Sequence, residues 1–568
     1  MSSKIESTPE LLPPTYGKMR KHLALVLLAA LTAAPAAAAQ QAEIPEGFTR
    51  QDVLRGSITP EREWWDLQHY LLDVQVFPDS KTLKGSTTIS FRTLAAGDRM
   101  QVDLQEPLGV TKVMHGDTEL TFEREGSVYW IQFPEALPAE VDDMIQVFYE
   151  GTPVESENPP WSGGLTWQQD DKGNPFIATT CQGIGASVWW PNRDHLADEP
   201  DRGVDIRVTV PRGLTAVANG RLIEESTDKK AKTTTFLWRV TKPINNYCVN
   251  VNIGNYVSWK DTYKGEHGEL DLEYWVLEGQ EKEAKEQFKQ LPMTLEAFEH
   301  WFGKYPFYED SYKLVVVPYL GMEHQSSVTY GNEFKNGYRG RDLSRTGVGL
   351  KFDYIIIHEA AHEWWGNNVS KKDPADMWIH ESFGTYAESI YVEYHFGKED
   401  AATYVIGTRR GIRNDKPIIG QYGLNNRGSS DMYSKGANIL HTMRHMLDDD
   451  DKWLAMLRGL QSEFWHQTVT TAQVESYINT VTGFDYGLVF DQYLRTKDIP
   501  LLRYEGDGKT VAVWFERVVP GFAAPVVLEL NGKPQRVVVS DQRTDIKLKS
   551  KLKSFVLDRN FYMDVQGE

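Results

Sequence analysis

Cysteine is nearly absent from this 568-residue chain, which carries only Cys181 and Cys248. One pair in a protein of this size is no disulfide scaffold. The two either bridge or stay as buried thiols, and neither has neighbours that suggest nucleophilic chemistry. Positive charge is also in deficit: 61 Lys and Arg face 80 Asp and Glu, a net charge of −19. That balance argues against nucleic acid or an anionic membrane surface as a partner. Long apolar runs are missing as well. The stretch 23–31 is too short for a membrane span, and nothing later replaces it. No internal repeat is evident, and the acidic run 448–451 lacks the oxygen-ligand spacing of a calcium loop.

The short apolar stretch has another use. Arg20-Lys21-His22 precede it as a positive region, and Ala37-Ala38-Ala39 follow as a small-residue cleavage site before Gln40. Residues 1–39 therefore read as a signal-peptide region, with Met19 a more natural start than Met1. The expectation is a periplasmic or secreted protein with no membrane span after signal cleavage; an uncleaved anchor is the alternative.

What the chain does contain is His358-Glu359-Ala360-Ala361-His362, with Glu381 further along. On a helix, residues four apart share a face, so His358 and His362 can present two imidazoles to one metal ion. Glu359 can then reach a water on that ion without ligating it. A catalytic zinc takes three protein ligands and keeps one open position, and Glu381 is the candidate third ligand. Two imidazoles and a carboxylate leave the ion less electron-rich than thiolates would, so it stays a good Lewis acid. The apolar run Tyr354-Ile355-Ile356-Ile357 and the following Trp364-Trp365-Gly366-Asn367 predict a buried helix ending near a glycine. A second helix is predicted from Asp373 as N-cap, with Pro374 at its first position. On it Trp378, Glu381, Thr385 and Glu388 share a face, and Glu388 can accept a ring N–H from a ligating histidine. These residues have the constitution of a zinc hydrolase with one Zn2+ per chain.

The surrounding pattern predicts a multidomain α+β protein. From about 60 to 265 short alternating strands dominate, among them 70–76, 86–91 and 204–210, and predict an all-β sandwich domain over 40–265. Helical periodicity over 281–302, a strand at 313–317, the two zinc helices and helices near 434–447, 452–464 and 471–482 predict an α/β catalytic domain over 266–500. Strand patterns at 510–515, 525–530 and 535–539 predict a small C-terminal β-sandwich domain over 501–568. The segment Val315-Val316-Val317-Pro318-Tyr319-Leu320-Gly321-Met322-Glu323-His324 reads as a strand running into a loop. Its proline predicts an edge, where free backbone groups can pair with an extended peptide. Glu323 at the end of that edge is suited to holding a terminal ammonium by charge-assisted hydrogen bonds.

Four motifs in order, Gly321-Met322-Glu323-His324, His358 to Asn367, Trp378 to Glu388 and Tyr433-Ser434-Lys435-Gly436, resemble the zinc aminopeptidases of the aminopeptidase N and leukotriene hydrolase type. The resemblance covers roughly residues 60–500 and implies a thermolysin-like catalytic domain. It implies that His358, His362 and Glu381 bind zinc and that Glu359 is the general base. It further implies that Glu323, with Gly321, Met322 and Gln182, binds the substrate's free N-terminus, and that Tyr433 stabilises the oxyanion. Three departures stand out. His324 replaces the usual asparagine, and His380 and Ser382 flank Glu381 in place of asparagine and glycine. The residues after Pro500 read as strands, so the large helical domain that caps the cleft in long members is expected to be absent. An open-cleft zinc endopeptidase and a non-catalytic zinc-dependent binding protein remain the alternatives to an aminopeptidase. Oligomeric state and side-chain preference are not legible.

Overall fold

Alternating apolar and polar residues build the first half of the chain into sheets. In the computed structural model, which describes residues 44–506 and 508–567, Trp65–Phe77 lies inside a ten-stranded sheet. It pairs antiparallel with Thr82–Thr93 and parallel with Val204–Pro211. Trp65 and Leu67 are buried, then Tyr70, Leu72, Val74 and Val76. The register shifts between Leu67 and His69, and this bulge switches the inward face from odd to even positions. A four-stranded sheet, in the order Thr215–Ala218, Val251–Gly254, Pro175–Thr180, Gly164–Gln169, shares its core through Trp238, whose indole N–H donates to the Ala216 carbonyl at 3.0 Å. Pro175–Thr180 ends immediately before Cys181 and Gln182, so this sheet delivers Gln182 to whatever lies beyond its edge. Both cysteines are free and buried. The export signal expected at 1–39 falls outside the described residues.

The next sheet has five strands, in the order Tyr256–Gly265, Gly268–Leu277, Tyr312–Val316, Val328–Tyr330, Gly321–Met322. The first hairpin runs straight through position 265, where the sequence patterns changed from strand to helix. The strand expected at 313–317 is interior, because Tyr312–Val316 pairs on both sides. The edge is instead Gly321–Met322, which pairs antiparallel with Val328–Tyr330. Pro318 stands beyond the strand's end, so it marks the exit from the sheet and not an edge position. The helix expected over 281–302 is two, Glu281–Gln287 and Gln290–Phe302. Pro292 has no N–H to give the Phe288 carbonyl, and its ring crowds that carbonyl, so the helix restarts there.

Helices fill the rest of the middle segment. Ser434–Leu447, Asp450–Glu463 and Thr471–Thr482 stand close to where periodicity placed them. After residue 500 the chain forms a four-stranded and a three-stranded sheet, with Val511, Val513, Phe515, Val526, Leu528 and Val539 buried. They are tied to the helices by backbone acceptors: Tyr493 donates to the Tyr562 carbonyl at 2.7 Å and Arg409 to the Arg559 carbonyl at 2.8 Å. The architecture is multidomain α+β. Among the described residues no helix is long and apolar enough to cross a membrane.

Candidate metal centre

The helix Tyr354–Ala361 begins at Asp353, whose carboxylate accepts the N–H groups of Ile355 at 3.0 Å and Ile356 at 3.3 Å. Ile355, Ile356 and Ile357 are buried, so the helix is fixed on its apolar side and its histidines face the cleft. It stops at Gly366, whose φ of 147° a residue with a Cβ rarely adopts. The turn this glycine permits brings the Trp365 carbonyl to 2.9 Å from His362 Nδ1. Asp373 caps a short 3-10 turn, Pro374–Asp376, and the second helix itself starts later than expected, as Trp378–Phe396. That helix is buried through Val392, which makes it a core element. Gly384 lets it approach closely: a Cβ there would stand 2.9 Å from His362 Cε1.

The approach completes a three-ligand cluster of His358, His362 and Glu381. Glu381 Oε2 lies 3.8 Å from His358 Nε2 and 3.5 Å from His362 Nε2, and the two Nε2 atoms are 3.3 Å apart. His362 Nδ1 faces a carbonyl, so it must carry the proton, and its Nε2 is a bare lone pair. His358 Nδ1 is 2.8 Å from Glu388 Oε1, a carboxylate whose other oxygen accepts the Tyr404 hydroxyl at 2.6 Å, and the same assignment follows. Burial moves His358 down to about 4, the neutral form that a metal ligand needs. Glu381 Oε2 is buried with no hydrogen-bond partner. Three acceptors thus converge with no donor between them, an arrangement that a divalent cation satisfies and a hydrogen-bond network cannot.

Around the cluster lies a cavity of about 430 Å³, lined by His358, His362, Glu381, Glu359, Glu323, Gly321, Met322, Gln182 and Tyr433 among others. Every residue predicted for the site lines it except Glu388, which stands behind His358 as the helix spacing implied. Burial, then Glu323, Glu381 and Glu388, hold the Glu359 carboxyl well above the usual range. The Tyr433 phenol is also raised, by burial and then by Glu381, and its ring stacks 6.1 Å from that of His358. Ser382 explains its place. The Ser382 hydroxyl donates to the Met432 carbonyl at 2.7 Å, and Gly436 packs so tightly on Ser382 that a Cβ would meet Oγ at 1.9 Å.

Gln182 is marked only by the family resemblance, and Tyr247 by nothing in the sequence. Gln182 donates through one Nε2 to Glu323 Oε1 at 2.5 Å and to Glu381 Oε1 at 3.2 Å, linking the edge strand to the metal cluster. Tyr247 donates to Glu323 Oε1 at 3.2 Å and lies 3.4 Å from His380 Nδ1. His380 Nε2 accepts the Lys371 backbone N–H at 2.8 Å, so its Nδ1 carries the hydrogen that Tyr247 receives. Asn367 donates to the Glu323 carbonyl at 3.0 Å. His324 turns away into the core, where burial lowers it to about 3 and its Nδ1 lies 3.3 Å from the Thr329 hydroxyl. Of the tryptophans, Trp161 is exposed at the cavity, whereas Trp189 and Trp190 are buried core.

Comparison with known proteins agrees with this layout. The peptidase family M1 domain matches residues 286–493, and the peptidase M1 N-terminal domain matches residues 67–248. A probable aminopeptidase 2 of Sulfurisphaera tokodaii is 22% identical over 406 residues, which is 67% of this chain and 50% of the relative. Human aminopeptidase B is 23% identical over 412 residues, 67% of this chain and 58% of the relative. The chain thus spans about half the length of the curated relatives it matches. The crystal structure of an M1 zinc metallopeptidase from Deinococcus radiodurans superposes with a TM-score of 0.65 at 20% identity, over 79% of this chain and 98% of that one.

Proposed function

The chain belongs to peptidase family M1, and from that premise we propose that it is a zinc aminopeptidase removing N-terminal residues from peptides. One observation carries the reading. The Glu323 carboxylate stands a single glutamine side chain away from the metal ligand Glu381, because Gln182 bonds both. An ammonium held at Glu323 therefore sits about one residue from the cluster, and the bond presented there is the first peptide bond. An endopeptidase has no use for a carboxylate at that position. A binding protein has no use for the buried Glu359 beside an open ligand position.

Zinc, when bound by His358, His362 and Glu381, supplies Lewis acidity. Glu359 takes the proton of the attacking water and passes it to the leaving amine. Tyr433 donates its O–H to the oxyanion of the tetrahedral state. The edge strand Gly321–Met322 offers backbone groups for an extended substrate, with Glu323 at its end.

The test is hydrolysis of matched peptides with free and acetylated N-termini. Free peptides should be cleaved and acetylated ones spared. In Glu323→Ala, kcat/KM on the free peptides should fall by about 10- to 100-fold, the worth of a lost charge-assisted hydrogen bond. Equal cleavage of acetylated and free peptides by the unmodified protein would favour the endopeptidase.

A further inference from the structure

A second cavity, of about 200 Å³, adjoins the amine-binding end of the metal cleft. The two share Gln182 and Arg427 in their walls, and Tyr247, which donates to Glu323, lines the second. A side chain branching from the residue whose ammonium sits at Glu323 has this cavity beside it. Its walls are cationic in a chain of net charge −19: Arg55, Lys371 and Arg427 against a single carboxylate, Asp194. Asp194 is already engaged, by Arg55 at 3.6 Å and by the Ser187 hydroxyl at 2.5 Å.

Among the described residues, neither of the other two cations has a carboxylate within ion-pair distance. Lys371 is 1% exposed, with its Nζ 4.3 Å from the centre of the Tyr247 ring and 3.4 Å from His380 Nδ1. That nitrogen carries a hydrogen, as the contact of His380 Nε2 with the Lys371 backbone requires, so it cannot accept from the ammonium. Among the described residues no carboxylate pairs with Lys371. Glu323, Glu381 and Glu199 offset part of the cost of burying this ammonium from beyond contact distance, and an anion in the cavity would offset more. Arg427 is exposed at the rim shared by both cavities, and among the described residues its guanidinium has neither an ion pair nor a hydrogen bond. It presents donors in the fork that suits a carboxylate.

We infer that this cavity receives the carboxylate side chain of an N-terminal glutamate or aspartate, held between Lys371 and Arg427, and that the enzyme selects acidic N-termini. The inference rests on the aminopeptidase reading and adds the substrate class to it. It also places charges of both signs where an acidic N-terminal residue needs them: Glu323 for the ammonium, and the two cations for the side chain.

The test uses the zinc-loaded full chain and the 4-nitroanilides of Glu, Gln, Asp, Asn, Ala and Lys. Glutamyl anilide should exceed its neutral isostere, glutaminyl anilide, by about 10- to 100-fold in kcat/KM, the range of a charge-assisted hydrogen bond. Arg427→Gln should pull that ratio toward one, and Arg427→Glu should turn the preference toward the lysyl anilide. Lys371→Met should also lower the Glu-to-Gln ratio. Reading the ratio within each variant cancels any general loss of activity, and the exposed Arg427 variants keep the test decisive if the buried Lys371 variant does not fold. Equal cleavage of Glu and Gln anilides, or a ratio that survives both Arg427 changes, overturns the inference while leaving an aminopeptidase. Failure to cleave any free-amine anilide overturns the aminopeptidase reading, and this inference with it.

Discussion

The duties proposed for two side chains at the cleft are separable. Glu359 is buried beside the His358, His362 and Glu381 cluster without being part of it, and among the described residues no hydrogen bond or ion pair engages its carboxylate. The proton-transfer role proposed for it predicts that Glu359→Gln retains zinc and loses turnover by about 10²- to 10⁴-fold. Metal content by mass spectrometry, measured beside anilide hydrolysis, checks both halves; substantial turnover in a zinc-replete variant would remove Glu359 as the base. The role proposed for Tyr433 differs, because an oxyanion donor matters only once charge appears on the substrate oxygen. Tyr433→Phe should lower kcat by about 10²- to 10³-fold and leave KM nearly unchanged. A variant whose KM carries most of the loss would instead place Tyr433 in ground-state binding.

At the level of elements, the site depends on how closely two helices approach. Tyr354–Ala361 is held by its cap and its isoleucines, and Trp378–Phe396 is buried nearly all round. Gly384 is the point of contact, with room for no Cβ against the His362 ring. Gly384→Ala improves intrinsic helix propensity by about 1 kcal/mol, so the metal-free fold should survive. The added methyl must nonetheless displace an imidazole pinned at Nδ1 by the Trp365 carbonyl. Zinc affinity should fall by about 10- to 100-fold, the range seen when support for a ligand is disturbed. Competition against a chromogenic chelator measures this, and undiminished affinity would show that the helices yield more easily than their packing suggests. That Glu388 would back one of the two histidines was visible in the sequence, because it stands two helical turns beyond Glu381; that the partner is His358 was not. Nor was the Gly384 contact. A glycine inside a helix shows its purpose only when the opposing ring is in place.

Across the whole molecule, the proposed metal binding would be linked to folding. His358, His362 and Glu381 come from two helices that pack together in the buried middle segment, so an ion held by them would bind the folded state and not the unfolded chain. At free zinc a thousandfold above its dissociation constant this stabilises the fold by about 4 kcal/mol. Removing the metal with a chelator should abolish hydrolysis and lower the calorimetric melting transition by several degrees, and added zinc should restore both. A melting curve indifferent to chelation would mean that the cluster does not hold the ion. The β-rich C-terminal segment is anchored to the helices by Arg409 and Tyr493, and none of its described residues lines the metal cleft.

That His358, His362 and Glu381 could converge, with Glu359 beside them and Glu388 behind, was legible in the linear chain, because an α-helix converts fixed spacings into a shared face. Strand and helix types were legible for the same reason, since periods of two and 3.6 are local properties. Tertiary structure alone decided which strand is an edge, because an edge is defined by the partner it lacks. It alone brought Tyr247, Lys371 and Arg427 to the end of the cleft where the resemblance had set Gln182. Those four come from a sheet terminus, a 3-10 turn, a short strand and a loop. No local periodicity relates such positions, and their meeting follows only from how sheets and helices pack.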